Sequence, residues 1–167
     1  MNAAKPTTPA FHLASFTRED EFAVIALEHS CFPDPQGSTE LRLAFAGSAR
    51  MAWVAKRDGD PAAVGYMLFD LPAGADWVRI LRLAVHPAAR RRAVGALLVS
   101  TLASSLAKPP EWRPDLFCDV RESNLGGQLF FKQLGFAVTC TKRGYFADTG
   151  EDALLFHRRV RGGGMLA

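Results

Sequence analysis

Three consecutive arginines, Arg90, Arg91 and Arg92, stand directly before an Ala/Leu-rich segment, Ala93–Leu106, that reads as a helix. Cations there oppose the positive end of the helix dipole, costing about 0.3–1 kcal/mol each when exposed. A bound anion reverses that penalty, because the arginines and the free N–H groups of the first turn then converge on it. Gly95, in the same turn, leaves out a side chain where a ligand would approach the backbone. Composition allows two readings: a solvated basic turn ahead of a core helix, or a seat for a bound anion.

The remaining reactive residue types are sparser. Cys31, Cys118 and Cys140 are odd in number and widely spaced, with no C-x-x-C or Cys/His ligand pattern. Neither a disulfide framework nor a zinc site is expected, and the three read as small core residues. His12, His29, His86 and His157 form no ligand set, and His86 before Pro87 reads as a turn residue. No metal is expected. The formal net charge is only +3, from 20 Lys and Arg against 17 Asp and Glu. That balance, without an aromatic ladder beside the arginines, argues against nucleic-acid binding and leaves room for one local anion site. The first residues lack a signal-type apolar core, and no run of about eighteen apolar residues occurs. A cytoplasmic location, without secretion or membrane contact, is the expectation.

The elements that must carry these residues follow from periodicity and punctuation. The length suits one domain, with residues 1–10 as a flexible leader, 11–160 as the folded unit and 161–167 as a fraying tail. Phe11–Phe16 reads as a strand. Thr17–Asp20 opens a helix with Phe22, Ile25, Ala26 and Cys31 on its apolar side, and Pro33 stops it. A second helix, capped by Ser38, runs to about Ala46. Met51–Lys56 and Ala63–Phe69 form a hairpin across Asp58-Gly59, and Trp77–Val85 is a third long strand. Leu116–Val120 is a strand, Asn124–Leu134 a helix ended by Gly135, and Phe136–Arg143 with Asp152–Arg159 a final antiparallel pair. The expectation is an α/β (α+β) domain, with a mostly antiparallel mixed sheet of about seven strands, about four helices and at least one parallel crossover.

The segment Val85–Val99, Val-x-Pro-x-x-Arg-x-x-Ala-x-Gly-x-x-Leu-Val, resembles the coenzyme A signature of the Gcn5-related N-acetyltransferase (GNAT) superfamily. Downstream, Asp119-Val-Arg-Glu-Ser-Asn124, then Leu134-Gly-Phe136 and Tyr145 ahead of Glu151-Asp-Ala153, resemble the ribosomal-protein-alanine N-acetyltransferase branch. The resemblance implies acetyl-CoA as cosubstrate. Its pyrophosphate would lie on the amides of Arg91, Arg92, Ala93, Val94, Gly95 and Ala96, with Arg90 beside them. Leu83, Ala84 and Val85 would hold the thioester and pantetheine through backbone bonds, with an N–H near Val85 facing the oxyanion. Asn124 would contact the pantetheine arm, or simply cap its helix, or both. Asp119 falls where the branch carries its catalytic carboxylate; the alternative is a surface carboxylate paired with an arginine.

Two positions depart from the pattern. Ala93 replaces a glycine and is expected to have helical dihedrals. Phe131 replaces the branch's tyrosine acid, so Phe131 would pack against pantetheine or core. Tyr145 becomes the candidate proton donor, or else an aromatic at the base of a loop. The implied activity is acetylation of a primary amine, most readily a protein or peptide N-terminal α-amine such as that of a ribosomal protein. Small-molecule amine acetylation and a catalytically silent acyl-CoA-binding module are the alternatives.

Overall fold

The segment from Trp77 to Arg121 makes the parallel crossover around which the sheet is organised. In the computed structural model, which describes residues 10–32, 50–106 and 114–160, seven strands form one sheet. They are β1 (Phe11–Ser15), β2 (Arg50–Arg57), β3 (Ala63–Asp70), β4 (Trp77–Val85), β5 (Asp115–Arg121), β6 (Ala137–Phe146) and β7 (Glu151–Arg159). Their spatial order is β1-β2-β3-β4-β5-β7-β6, with β4–β5 parallel and every other pair antiparallel. The helices are α1 (Glu21–Cys31), α2 (Val94–Leu106) and α3 (Leu125–Gln133). This is the expected mixed α/β architecture with three helices among the described residues. The helix expected from Ser38 to Ala46, the leader before residue 10 and the tail after 160 lie outside them.

Helices cover both faces because β3 and β4 are apolar on both. On one face, α2 packs Val94, Leu98, Val99 and Leu102 with Met67, Phe69, Val78 and Ile80. On the other, α1 buries Val24 and Leu27 with Val54, Tyr66, Leu68 and Ala84. The buried side of α1 is therefore not the expected one. Phe22 is 86% exposed, and Glu28, one residue beyond Leu27, is fully buried. The cysteines also divide: Cys118 is buried, Cys31 half-buried and Cys140 exposed. Burial pushes the Cys118 thiol well above its ordinary pKa, with the neighbouring Asp119 charge adding to the effect.

Two irregularities shape β4. Phe69 pairs with Ile80, but Leu68 pairs with Arg82, so Leu81 is an extra residue, a β-bulge. The bulge reverses the alternation: Val78 and Ile80 face α2, whereas Ala84 faces α1 and Leu83 and Val85 turn toward the α2 core. The β4–β5 ladder, Trp77↔Asp115 to Ile80↔Cys118, stops at the same point. Beyond it the two strands are unpaired with each other, and a notch opens between Leu81–Val85 and Asp119–Arg121.

Candidate active site

A cleft of about 840 Å³ occupies this notch. Its walls come from the end of α1 (Cys31, Phe32), the second half of β4, the end of β5 and the β6–β7 turn. Of the residues singled out by sequence, Leu83, Asp119, Asn124, Phe131 and Tyr145 line it.

Asp119 is the first β5 residue past the ladder, with a side chain only 10% exposed. Arg79 Nη1 donates to its Oδ2 at 2.5 Å, and Lys142 Nζ stands 2.7 Å from Oδ1. Arg79 pairs with Phe117, two residues before Asp119, so the ion pair is a diagonal cross-strand contact on one face. The carboxylate is thus both paired with an arginine and on the cleft wall. Tyr145 approaches it across the cleft, its hydroxyl 3.4 Å from Oδ2. That is longer than a settled O–H···O bond, as acid–base contacts often are before substrate binds. Phe131 sits in the floor, 7% exposed, its ring set edge-on to Phe130 and Phe136. The only hydroxyl these aromatic positions offer the cleft is that of Tyr145.

At the end of β4, His86 accepts a hydrogen bond from Ala88 N through Nδ1 and so holds a single 3₁₀ turn, Pro87–Ala89. Arg90, Arg91, Arg92 and Ala93 follow, all exposed. Helix α2 begins at Val94, not Ala93, and Ala93 has φ 62°, with Arg91 at φ 60°. The expectation of helical dihedrals at Ala93 is therefore overturned: the loop turns twice through left-handed backbone before the helix starts. Such turns aim successive N–H groups to one side, the shape of an anion-binding concavity. The first helical bond here runs from Leu97 N to Ala93 O, so the N–H groups of Val94, Gly95 and Ala96 lie ahead of it. Arg90 folds back, donating from Nε to Val85 O at 3.1 Å. Gly95 serves packing as well as access: a Cβ there would lie 3.1 Å from Phe130 Cζ. Asn124 caps α3, its Oδ1 accepting from Gly127 N at 2.9 Å.

Three residues outside the sequence motifs form a cluster at the α1 side of the cleft. Glu28, fully buried on α1, accepts hydrogen bonds from the Tyr66 hydroxyl and from Arg82 (Nε 2.9 Å, Nη2 2.5 Å). The Arg82 guanidinium also lies 4.2 Å over the Phe32 ring. Burial, reinforced by the Glu28 charge, raises the Tyr66 hydroxyl far above the ordinary tyrosine range, so it stays protonated. The triad fastens the end of α1 to β3 and β4 at the cleft. Arg82, the second of two arginines in a strand that is otherwise apolar, was the signal for it.

Arg121, the last residue of β5, braces the opposite wall. It donates to Asp148 (2.6 Å), Thr149 (2.9 Å) and Glu151 (3.3 Å). Hydrogen bonding to Arg121 holds the Asp148 carboxyl below its usual range, and bonding to Ser123 does the same for Glu151, with Arg121 adding to it.

A model of the Acetyltransferase (GNAT) family matches residues 22–136. The chain belongs to that family. Among curated proteins none matches it. Solved structures share its fold. One is the ribosomal-protein-alanine N-acetyltransferase of Escherichia coli, with a TM-score of 0.77 at 20% identity over 95% of this chain and 100% of that one. A second is NAA60 of Arabidopsis thaliana in complex with acetyl-CoA, with a TM-score of 0.75 at 14% identity over 90% and 99% of the two chains. A third is Arabidopsis thaliana Naa50 with the bisubstrate analogue CoA-Ac-MVNAL, with a TM-score of 0.73 at 20% identity over 89% and 97%. Within this GNAT domain the Asp119–Tyr145 pair lines the notch beside the middle of β4, and the left-handed loop follows the end of the same strand. Among the described residues no cluster of His, Cys, Asp and Glu is arranged to hold a metal ion.

Proposed function

We propose that this GNAT protein acetylates primary amines using acetyl-CoA, with a protein or peptide N-terminal α-amine as acceptor. The observation that carries the reading is the coincidence of the β4–β5 notch with the left-handed Arg91–Ala93 loop at its end and Asp119–Tyr145 on its wall. The residues fit the cosubstrate. Unpaired strand edges at Leu83–Val85 suit the amides of a pantetheine arm, and the N–H groups from Arg91 to Ala96, with three exposed arginines, suit a pyrophosphate. When bound, acetyl-CoA supplies an activated acetyl thioester.

The chain's own residues supply position and protons. In transfer, a C–N bond forms, the C–S bond breaks, one amine proton leaves and the thiolate takes up another. Asp119, oriented by Arg79 and Lys142, would accept the amine proton directly or through water, and Tyr145, its hydroxyl 3.4 Å from Asp119, would supply a proton to the thiolate. A thiol of pKa near about 8.5 leaves tolerably without help, so the hydroxyl missing at Phe131 is a modest loss. An N-terminal amine of pKa about 8 is roughly a tenth neutral at pH 7, against about 0.04% for lysine. One modest base therefore suits the α-amine. The bisubstrate analogue bound by Naa50 joins a peptide to CoA and lends support to the same acceptor class.

The test is thiol release from acetyl-CoA with a panel of peptides, polyamines and aryl amines. Turnover on peptide α-amines is expected, and Tyr145→Phe should lower the rate by less than the factor of about 100 that a required general acid supplies. Binding of acetyl-CoA with no turnover on any amine establishes the silent module, the reading that Phe131 favours. Turnover restricted to polyamines establishes the small-molecule enzyme.

A further inference from the structure

The mouth of the cleft is rich in carboxylates, and among the described residues the four there are all paired with cations. Asp119 is held by Arg79 and Lys142, Asp148 and Glu151 by Arg121, and Asp152 by Arg143. Four acids face four bases. The two on the turn itself, Asp148 and Glu151, depend on one side chain. The Arg121 guanidinium lies 3.9 Å over the Phe146 ring and reaches Asp148, Thr149 and Glu151. Only a planar fork makes these contacts at once; a lysine ammonium offers one point. The opposite oxygen of Glu151 accepts from Ser123 N at 2.7 Å, so the turn is tied to the residue preceding the α3 cap.

Polycations are recognised by carboxylates that have no internal partner, since affinity comes from charge the protein has not already neutralised. Here each of these four carboxylates would have to give up a cation first. We propose that Arg121 is a positioning residue that sets acceptor specificity: it turns the Asp148 and Glu151 carboxylates inward, so that the cleft admits a singly charged peptide-type α-amine and rejects polyamines. The inference rests on the N-acetyltransferase reading for its kinetic arm only; its binding arm stands without turnover.

The experiment compares wild type with Arg121→Gln, Arg121→Lys and the triple variant R121Q/D148N/E151Q. Calorimetry measures acetyl-CoA and spermidine binding, and steady-state kinetics use an alanine-leading peptide and spermidine. In Arg121→Gln the peptide KM should rise at least tenfold with a smaller change in kcat, and acetyl-CoA Kd should stay within threefold. Spermidine Kd should tighten at least tenfold. Arg121→Lys should fall between, and the triple variant, which lacks the exposed acids, should reject spermidine as wild type does. If Arg121→Gln does not fold, Arg121→Lys and the triple variant carry the comparison. Unchanged spermidine binding, or equal losses for both acceptors through kcat alone, overturns the proposal. If no form acetylates any amine, the enzymatic reading falls, and the spermidine Kd ratio still decides the role of Arg121.

Discussion

Replacing Ala93 with glycine tests the geometry of the cofactor loop by the sign of its effect. Ala93 is exposed and has φ 62°. A non-glycine residue in that region costs about 1–2 kcal/mol. Removing an exposed methyl leaves no cavity, so the one opposing effect is the extra freedom of glycine in the unfolded chain, about 0.4–1 kcal/mol. The difference is a gain of about 0.8 kcal/mol, within limits of about 0 and 1.6. For a chain of this length that raises Tm by about 2–3 °C. A helical Ala93 gives the opposite sign, a loss of about 0.8–1 kcal/mol. Ala96, inside α2, is the internal control and should lose that amount on change to glycine. Urea unfolding with an unchanged m-value reads both variants. If Ala93→Gly is destabilised as much as Ala96→Gly, the left-handed loop, and the anion concavity built on it, is refuted.

Asp119→Asn should lower acetyl transfer and flatten its rise with pH, while acetyl-CoA affinity measured by calorimetry stays the same; a wild-type pH–rate profile removes Asp119 from the proton path. Tyr66→Phe takes a donor from the buried Glu28 carboxylate and should cost about 1.5–3 kcal/mol in urea unfolding; a neutral result would detach the triad from the fold. Acid should weaken the protein in a defined direction. The Asp20 carboxyl is raised by burial but lowered more by Lys56 and Thr17, and Asp148, Glu151 and Asp152 are also lowered from ordinary values of 3.8 to 4.5. Their contribution is complete above those ordinary values and is lost as pH falls through the folded ones. Stability should therefore be flat from about pH 5 to about pH 8 and fall below about pH 4; a fall on going from pH 5 to 7 contradicts the pairing.

The strand–turn–helix from Trp77 to Leu106 was legible because each part announces itself locally: an apolar run, a proline, a basic turn, an Ala/Leu helix. Asp119 and Asn124 were legible for the same reason, one on a short strand and the other in a capping position. What escaped was whatever depends on another element. The left-handed Ala93 is invisible locally, since alanine is the strongest helix former and follows a turn of ordinary composition. Phe22 reads as core by type, but the face α1 buries is chosen by the partners that Glu28 finds in Tyr66 and Arg82 on β3 and β4. The Asp119–Tyr145 approach joins β5 to β6 through β7, and only the sheet order brings them together.

The bulge at Leu81 makes β4 a strand whose two halves are out of phase. Its inward positions on the α2 side run 78, 80, 83, 85, a spacing of two, three and two rather than an even alternation. Removing Leu81 would even that spacing to two throughout, leaving Arg82 on the Glu28 side and Leu83 on the α2 side, and would take away the bulge at which β4 parts from β5. The Arg57–Ala63 connection has no such constraint. Across the descendants of this sequence, length should drift in that hairpin and hold in β4, where one extra residue parts the strand from β5 and opens the notch.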